Sequence, residues 1–417
     1  MKKTALLFPG QGSQYIGMGK KNYESFACSR LVFEEANDML GFNLKKMCFE
    51  GGMEQLSLTQ NAQPALLTVS MAAYAVYKEQ VGLTPEFVAG HSLGEITALT
   101  CAGAITFSDA LRIVRKRGEL MQAAVSPNHG MMASITGISQ EEMENLCRIL
   151  STPKTPVTIA CYNSPDQHVI SGLKESVEHV ISHVLNKGAQ AIPLQVSAPF
   201  HSIYMKNASE QFKEELLKYI FNPLQFPVIS NVTAQPYGNP NEIPDCLAAH
   251  MIMPVRWQET MMYLMSQRVD SAIEIGPKKA LYNLLVNCIK EINGYSFERD
   301  LNELIRLRET LPKWEQMDVG NRLQSDQDFL SSCITIAVCS RNQNWDKDEF
   351  FTGVIEPITG MKRRYNQLHT EQGVLSEGEK NGIIDSLRSI LAVKGLSDQN
   401  IHLMMAKFNS DSNEEVE

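Results

Sequence analysis

The sequence predicts an α/β protein built on a parallel sheet, and three observations carry that reading. Over the first 300 residues, short apolar runs alternate with amphipathic stretches: TALLFPG, then PALLTVSMAAYAVYKEQVG, then EFVAGHSLGEITALTCAGAIT. One of those runs passes through a glycine-bounded serine turn into a helical pattern, as strand-turn-helix units do. Finally, 417 residues with 43% hydrophobic content are enough for two or three units with real cores.

Taken in order, Thr4 to Phe8 is an apolar run closed by Pro9 and Gly10, the pattern of a buried strand entering a turn. Pro64 to Gly82 has helical periodicity, and Glu86 to Gly90 is again short and apolar before a second helical pattern begins. From Ser126 to about Ser197 the character shifts. MMASITGI, VTIACYN, HVISG and AIPLQVS read as strands around helical SQEEMENLCRIL and KESVEHVISHVLNKG, which together make a small α+β insertion. Beyond about Asn293 come helix-like NELIRLRETL, strand-like ITIAV and a polar stretch. There Ser376 and Glu379 form a capping box ahead of Ile383, Ile384, Leu387, Ile390 and Leu391 at helical spacing, and Gly395 suits the stop. A shorter helix is expected from Ser397 to Phe408, whose apolar face, with Leu403, Met404 and Phe408, is expected to pack on the preceding α/β domain, the alternative being that it meets a partner.

Composition removes several function classes. Lys and Arg number 38 against 47 Asp and Glu, and the net charge of -9 argues against tracking along nucleic acid. The segment from Leu301 to Glu417 holds 13 basic and 19 acidic residues, so it supplies -6 of that charge. No run approaches the roughly 18 apolar residues of a spanning helix, and the apolar start is too short for a secretory signal. Nine scattered cysteines without a CxxC argue against a disulfide framework or zinc ribbon. A reduced, cytoplasmic protein without membrane attachment is expected.

The sharpest motif is Gly90-His91-Ser92-Leu93-Gly94, a GxSxG between apolar strand and helix. Chemistry needs that arrangement: the serine is exposed on a tight turn, the glycines relieve crowding, and the helix start aims N–H groups at a developing oxyanion. Ser92 is the candidate nucleophile and the Leu93 N–H one oxyanion donor. Of nine histidines, spacing alone selects none as the base. His91 is expected to pack beneath the turn, and His179 with His183, at i and i+4 but lacking a third ligand, to lie on an ordinary helix face. The glycine-rich GQGSQYIGMGKK lacks the Lys-Ser or Lys-Thr of a P-loop.

Six motifs then occur in order: FPGQGSQYIGMG, TQNAQPALL, GHSLGE, RGELMQ, VSAPFHS and PVRW. Together, over roughly residues 1 to 290, they resemble the malonyl-CoA:acyl carrier protein transacylase family, and within it the discrete acyltransferases that serve polyketide synthases in trans. The fold this implies is an α/β-hydrolase-like core at 1–125 and 198–292, an inserted ferredoxin-like subdomain at 126–197, and a mainly helical extension at 293–417. The resemblance makes His201 the base for Ser92, oriented by the backbone carbonyl of His250, and Gln11 the second oxyanion donor. It makes Arg117 the clamp for the malonyl carboxylate, Gln63 and Asn163 polar groups that orient the acyl chain, and Phe200 a filter favouring malonyl over methylmalonyl. The implied partners are malonyl-CoA and an acyl carrier protein, without a metal or redox cofactor. EIGPKKAL departs from the pattern, with Lys278 where a glycine is commoner.

Two other readings fit the same residues. Water as acceptor would make the chain an acyl-carrier-protein hydrolase, which Arg117 argues against because a clearing enzyme should accept acyl groups lacking a second carboxylate. A catalytically silent adaptor would use the C-terminal segment to recruit synthase partners. Primary fatty-acid synthesis needs the same malonyl transfer as polyketide assembly.

Overall fold

The computed structural model describes residues 3–126, 129–196, 198–309, 326–339, 344, 346–371, 374–398, 401 and 405. They divide into two units: 1–29 with 44–310, and 30–43 with 311–417.

In the first unit, β1 (Thr4–Phe8) leads into α1 (Lys20–Ser25); α2 (Ala27–Leu40) begins there but belongs from residue 30 to the second unit, and the first unit resumes with α3 (Leu44–Glu50), α4 (Met53–Ser57) and the long α5 (Thr59–Gln80). Next, β2 (Phe87–Gly90) feeds α6 (Leu93–Cys101) and α7 (Phe107–Ala123). Every residue of β1 and β2 is buried, which is why both read as unbroken apolar runs: a parallel strand covered on two faces has no polar side. Pro64 lies inside α5 and has no N–H for the Gln60 carbonyl, so the Arg115 guanidinium donates to that oxygen at 3.0 Å.

The chain then builds β3 (Gly130–Thr136), α8 (Gln140–Leu150), β4 (Val157–Ser164), β5 (Gln167–Leu173), α9 (Lys174–Asn186) and β6 (Gln190–Pro193). The four strands form an antiparallel sheet in the order β4-β5-β3-β6, built from a β-α-β-β-α-β succession. Ile135, Ile159, Ile170, Val177 and Val180 fill its core.

Returning, the chain adds α10 (Lys206–Leu216), β7 (Val228–Ile229), α11 (Ile243–His250), α12 (Trp257–Ser266), β8 (Ser271–Glu274), α13 (Ala280–Cys288), β9 (Asn293–Ser296) and α14 (Phe297–Glu309). The resulting five-stranded sheet has the order β7-β2-β1-β8-β9, all parallel. Phe8 pairs with Gly90, so the loops after β1 and β2 leave the same carboxyl edge side by side. In open α/β sheets that edge is where ligands bind.

The expected boundary at 293 needs correction. β9 pairs with β8 and belongs to the parallel sheet, so the first unit runs to residue 310. The second unit also takes in residues 30–43 from the amino-terminal part of the chain. Its helices span Asp326–Cys339, Lys347–Phe350, Glu356–Glu371 and Glu377–Val393, with a π-helical turn at Phe351–Ile355. ITIAV, expected as a strand, lies within the first of these helices. Leu330, Cys333, Ile336 and Ala337 are buried at helical spacing, and that packing outweighs the β-branched composition. The Ser376–Glu379 capping box forms, and Gly395 takes φ 82 after the helix. Lys394 is 0% exposed and meets Asp38 at 3.1 Å within the same unit. Of the helix expected from Ser397 to Phe408, only positions 397, 398, 401 and 405 are described; Leu403, Met404 and Phe408 lie outside the described residues.

Candidate active site

Ser92 sits between β2 and α6 with φ 53 and ψ -107, a conformation unfavourable for a residue with a Cβ. Two glycines make the turn sterically possible. A Cβ on Gly90 would come within 1.9 Å of the Gly94 carbonyl group, and one on Gly94 within 2.0 Å of the Phe8 oxygen. Asn231, fully buried just after β7, holds the turn from behind: it accepts the Ser92 N–H at 2.8 Å and donates to the Gly90 carbonyl at 2.7 Å. The N–H groups of Gly94 and Glu95 bond back to His91 and Ser92. Leu93, first residue of the helix, lines the cavity together with Gln11 from the turn after β1.

His201, 109 residues away, reaches this turn. Its Nε2 lies 2.9 Å from Ser92 Oγ, and its Nδ1 lies 2.7 Å from the His250 carbonyl and 3.2 Å from that of Met253. A carbonyl can only accept, so the proton sits on Nδ1 and Nε2 is left as an acceptor facing the Ser92 hydroxyl. His201 also has a positive φ, 56, so both members of the pair hold backbone conformations worth about 1–3 kcal/mol of strain each. Burial, then the neighbouring His250 and Arg117, hold its pKa well below the usual 6.5.

A cavity of about 420 Å³ opens beside the pair. Arg117, on α7, is 2% exposed; Nη1 donates to Gln63 Oε1 at 3.1 Å and Nη2 to Ser92 Oγ at 3.3 Å. Among the described residues it has no ion-pair partner, and burial lowers its pKa to about 10, with Glu95 pulling the other way. Gln63 is fixed at its other end by a contact from Nε2 to Met121 Sδ at 3.4 Å. Phe200, 5% exposed, lines the cavity with Met121, Met132, Leu194 and Val196.

Asn163 lines the same space, its Oδ1 taken by His91 Nε2 at 2.9 Å. The His91 ring lies tilted against Trp257, centroids 5.5 Å apart, and also lines the cavity, where burial lowers its pKa to about 4. The expectation of a purely packing role is therefore incomplete. The PVRW segment explains itself locally: Val255 exchanges hydrogen bonds with β4 at Ala160 and Tyr162, while the Arg256 amide donates to Asn231.

Lys278 takes the positive φ, 65, that a glycine would tolerate without strain, and its ammonium reaches the Gly12 carbonyl at 3.1 Å. His179 and His183 are exposed on α9, and no group of three potential metal ligands occurs among the described residues. No helix among them is long and apolar enough to cross a membrane.

Sequence reasoning missed Asn231 and Glu95. Glu95 did leave a trace, as the one charge in the apolar helix LGEITALTC, because a carboxylate there must be exposed or paired.

The acyl transferase domain family matches residues 5–322. A malonyl CoA-acyl carrier protein transacylase of Bacillus subtilis is 48% identical over 374 residues, covering 89% of this chain and 92% of its own. That alignment is longer than the first unit and so continues into the second. An acyl-carrier-protein-S-malonyltransferase from Bartonella henselae superposes with TM-score 0.70 at 39% identity, covering 74% of this chain and 100% of its own. A malonyl-transacylase solved with its type II polyketide synthase acyl-carrier protein gives 0.71 at 37%, over 74% and 100%. Six ordered motifs, a serine turn on a parallel sheet and these matches lead to one conclusion: the chain is an acyltransferase and belongs to the malonyl CoA-acyl carrier protein transacylase family.

Proposed function

We propose that this protein moves malonyl from malonyl-CoA, through an ester on Ser92, to the phosphopantetheine thiol of an acyl carrier protein. The observation that carries the substrate choice is Arg117: a buried guanidinium without an ion-pair partner among the described residues, bonded to Ser92 Oγ and facing the cavity. A buried charge is costly until an opposite charge arrives, and the planar fork suits a carboxylate held bidentately. An acyl group ending in a carboxylate satisfies it; acetyl does not.

In the first half-reaction His201 Nε2 takes the Ser92 proton as Oγ attacks the thioester carbonyl. The oxyanion is met by the amides of Leu93 and Gln11, and collapse expels CoA thiolate, which takes the proton from His201. The His250 carbonyl keeps the ring in the tautomer this needs. The second half-reaction runs the same steps in reverse with the carrier thiol. Gln63 and Asn163 orient the malonyl group, and Phe200 narrows the space at its α-carbon, a discrimination of about 1–3 kcal/mol per methyl. The protein acts in the cytoplasm, where its cysteines stay reduced.

Carrier proteins of polyketide and of fatty-acid assembly both satisfy this chemistry, and we favour a discrete polyketide acyltransferase on the motif resemblance. Initial rates at varied malonyl-CoA and holo-carrier protein should give parallel double-reciprocal lines, the mark of an acyl-enzyme. Intersecting lines would rule out the ester route.

A further inference from the structure

Glu95 is a carboxylate with 0% exposure in a helix that carries no other charge. Its Oε1 accepts from the Tyr237 hydroxyl at 2.6 Å and from the Asn231 N–H at 3.2 Å. Its Oε2 lies 2.9 Å from His250 Nδ1, a close polar contact in which both side chains are 1% exposed. Two of these three neighbours are the residues that frame the reacting pair. Asn231 grips the Ser92 amide and the Gly90 carbonyl, whereas His250 presents its carbonyl to His201 Nδ1. One carboxylate therefore ties α6, the segment after β7 and the end of α11 together beneath the cavity.

We infer that Glu95 is a positioning residue for the Ser92–His201 pair: by holding Asn231 on the serine side and His250 on the histidine side, it fixes the separation of Oγ and Nε2. This rests on the reading of Ser92 and His201 as the reacting groups. The physical need is plain in the backbone. Both residues sit at positive φ, a conformation that persists only where the surroundings over-determine it. An apolar side chain of similar volume would fill the space without the desolvation penalty of a buried carboxylate, so geometry rather than stability accounts for its presence. The rings of His201 and His250 are 4.9 Å apart, so a shift of one is transmitted to the other.

The test uses the full chain and follows the malonyl-Ser92 ester by rapid quench and intact mass, with melting temperature recorded for each variant. Glu95→Gln keeps the shape and removes the charge; His250→Gln keeps the backbone carbonyl and removes the ring; Tyr237→Phe removes one bond to Glu95. Glu95→Gln is expected to lower the limiting acylation rate on the order of 10- to 100-fold, the scale of a small misplacement of reacting atoms. The malonyl-CoA concentration giving half that rate should move by less than about twofold, since binding is not what was lost. The double variant with His250→Gln should be no slower than the slower single, because both cut the same link. Tyr237→Phe should give a smaller drop in the same direction. An unchanged limiting rate in folded Glu95→Gln, or fully additive losses, would overturn the inference. Should Glu95→Gln fail to fold, unchanged rates in both His250→Gln and Tyr237→Phe overturn it instead. Absence of any ester in the unsubstituted protein refutes the parent reading, whereas a normal ester there with unchanged variants refutes the brace alone.

Discussion

Replacing Arg117 by alanine is the most informative perturbation of substrate choice. Bound malonyl would keep its carboxylate in a cavity where the guanidinium that faced it, 2% exposed and bonded to Ser92 Oγ and Gln63, is gone. Removing one partner of a buried ion pair costs about 3–5 kcal/mol. At about 1.4 kcal/mol per tenfold, kcat/KM for malonyl-CoA should fall by roughly two to three and a half orders of magnitude. Acetyl-CoA has no carboxylate to strand, and the variant no longer leaves a buried cation unpaired when acetyl occupies the site. Its kcat/KM should therefore hold or rise, so the malonyl to acetyl ratio collapses by at least about a hundredfold. The assay is competition between the two thioesters at concentrations below both KM values, read as acyl-carrier products by mass. A variant that keeps the original preference would refute the clamp, because the selectivity would then reside in the apolar wall around Phe200, Met121 and Met132.

Other consequences follow from equally local features. Because His201 is held well below 6.5 by burial and by the neighbouring His250 and Arg117, its neutral, active form persists on acidification; the acylation rate should stay level from pH 8 to 6.5 and decline only further down, and a decline already centred near 6.5 would contradict that environment. Gly94→Ala would drive a Cβ to 2.0 Å from the Phe8 oxygen, and since backbone must move, a loss of about 3 kcal/mol or more is expected in urea titration, with wild-type stability the contrary result. In the second unit, Lys394→Met strands Asp38, whose pKa burial already raises to about 6 against the pull of Lys394. It should cost about 3–5 kcal/mol there, with most of that recovered by adding Asp38→Asn; equal stabilities of single and double variants would refute the pairing.

The parallel sheet and its serine turn were legible because their causes are local. An apolar run buried on both faces, a proline-glycine stop and glycines at a crowded bend all leave their signature within a few residues. His201 and Arg117 were legible only through the ordered motifs, since nothing in nine histidines or a basic helix face marks which side chain will meet Ser92. What escaped is non-local. The polar, four-residue β9 reads as loop until it is paired with β8, which moved the expected boundary from 293 to 310. Residues 30–43 join the second unit through partners such as Lys394, far along the chain. ITIAV has strand propensity, yet Leu330, Cys333, Ile336 and Ala337 form one buried helical face, and packing decided. Asn231 grips the serine turn and Glu95 through contacts more than 130 residues away in sequence.

The reading of Ser92 as the nucleophile is tested most directly by weighing the intact protein after mixing with malonyl-CoA, beside Ser92→Ala, and then adding holo-acyl carrier protein. A single malonyl adduct that forms only with Ser92 present, and that leaves the enzyme as the carrier gains the same mass, is the expected result. An adduct that persists in Ser92→Ala, or free malonate without carrier acylation, would contradict it.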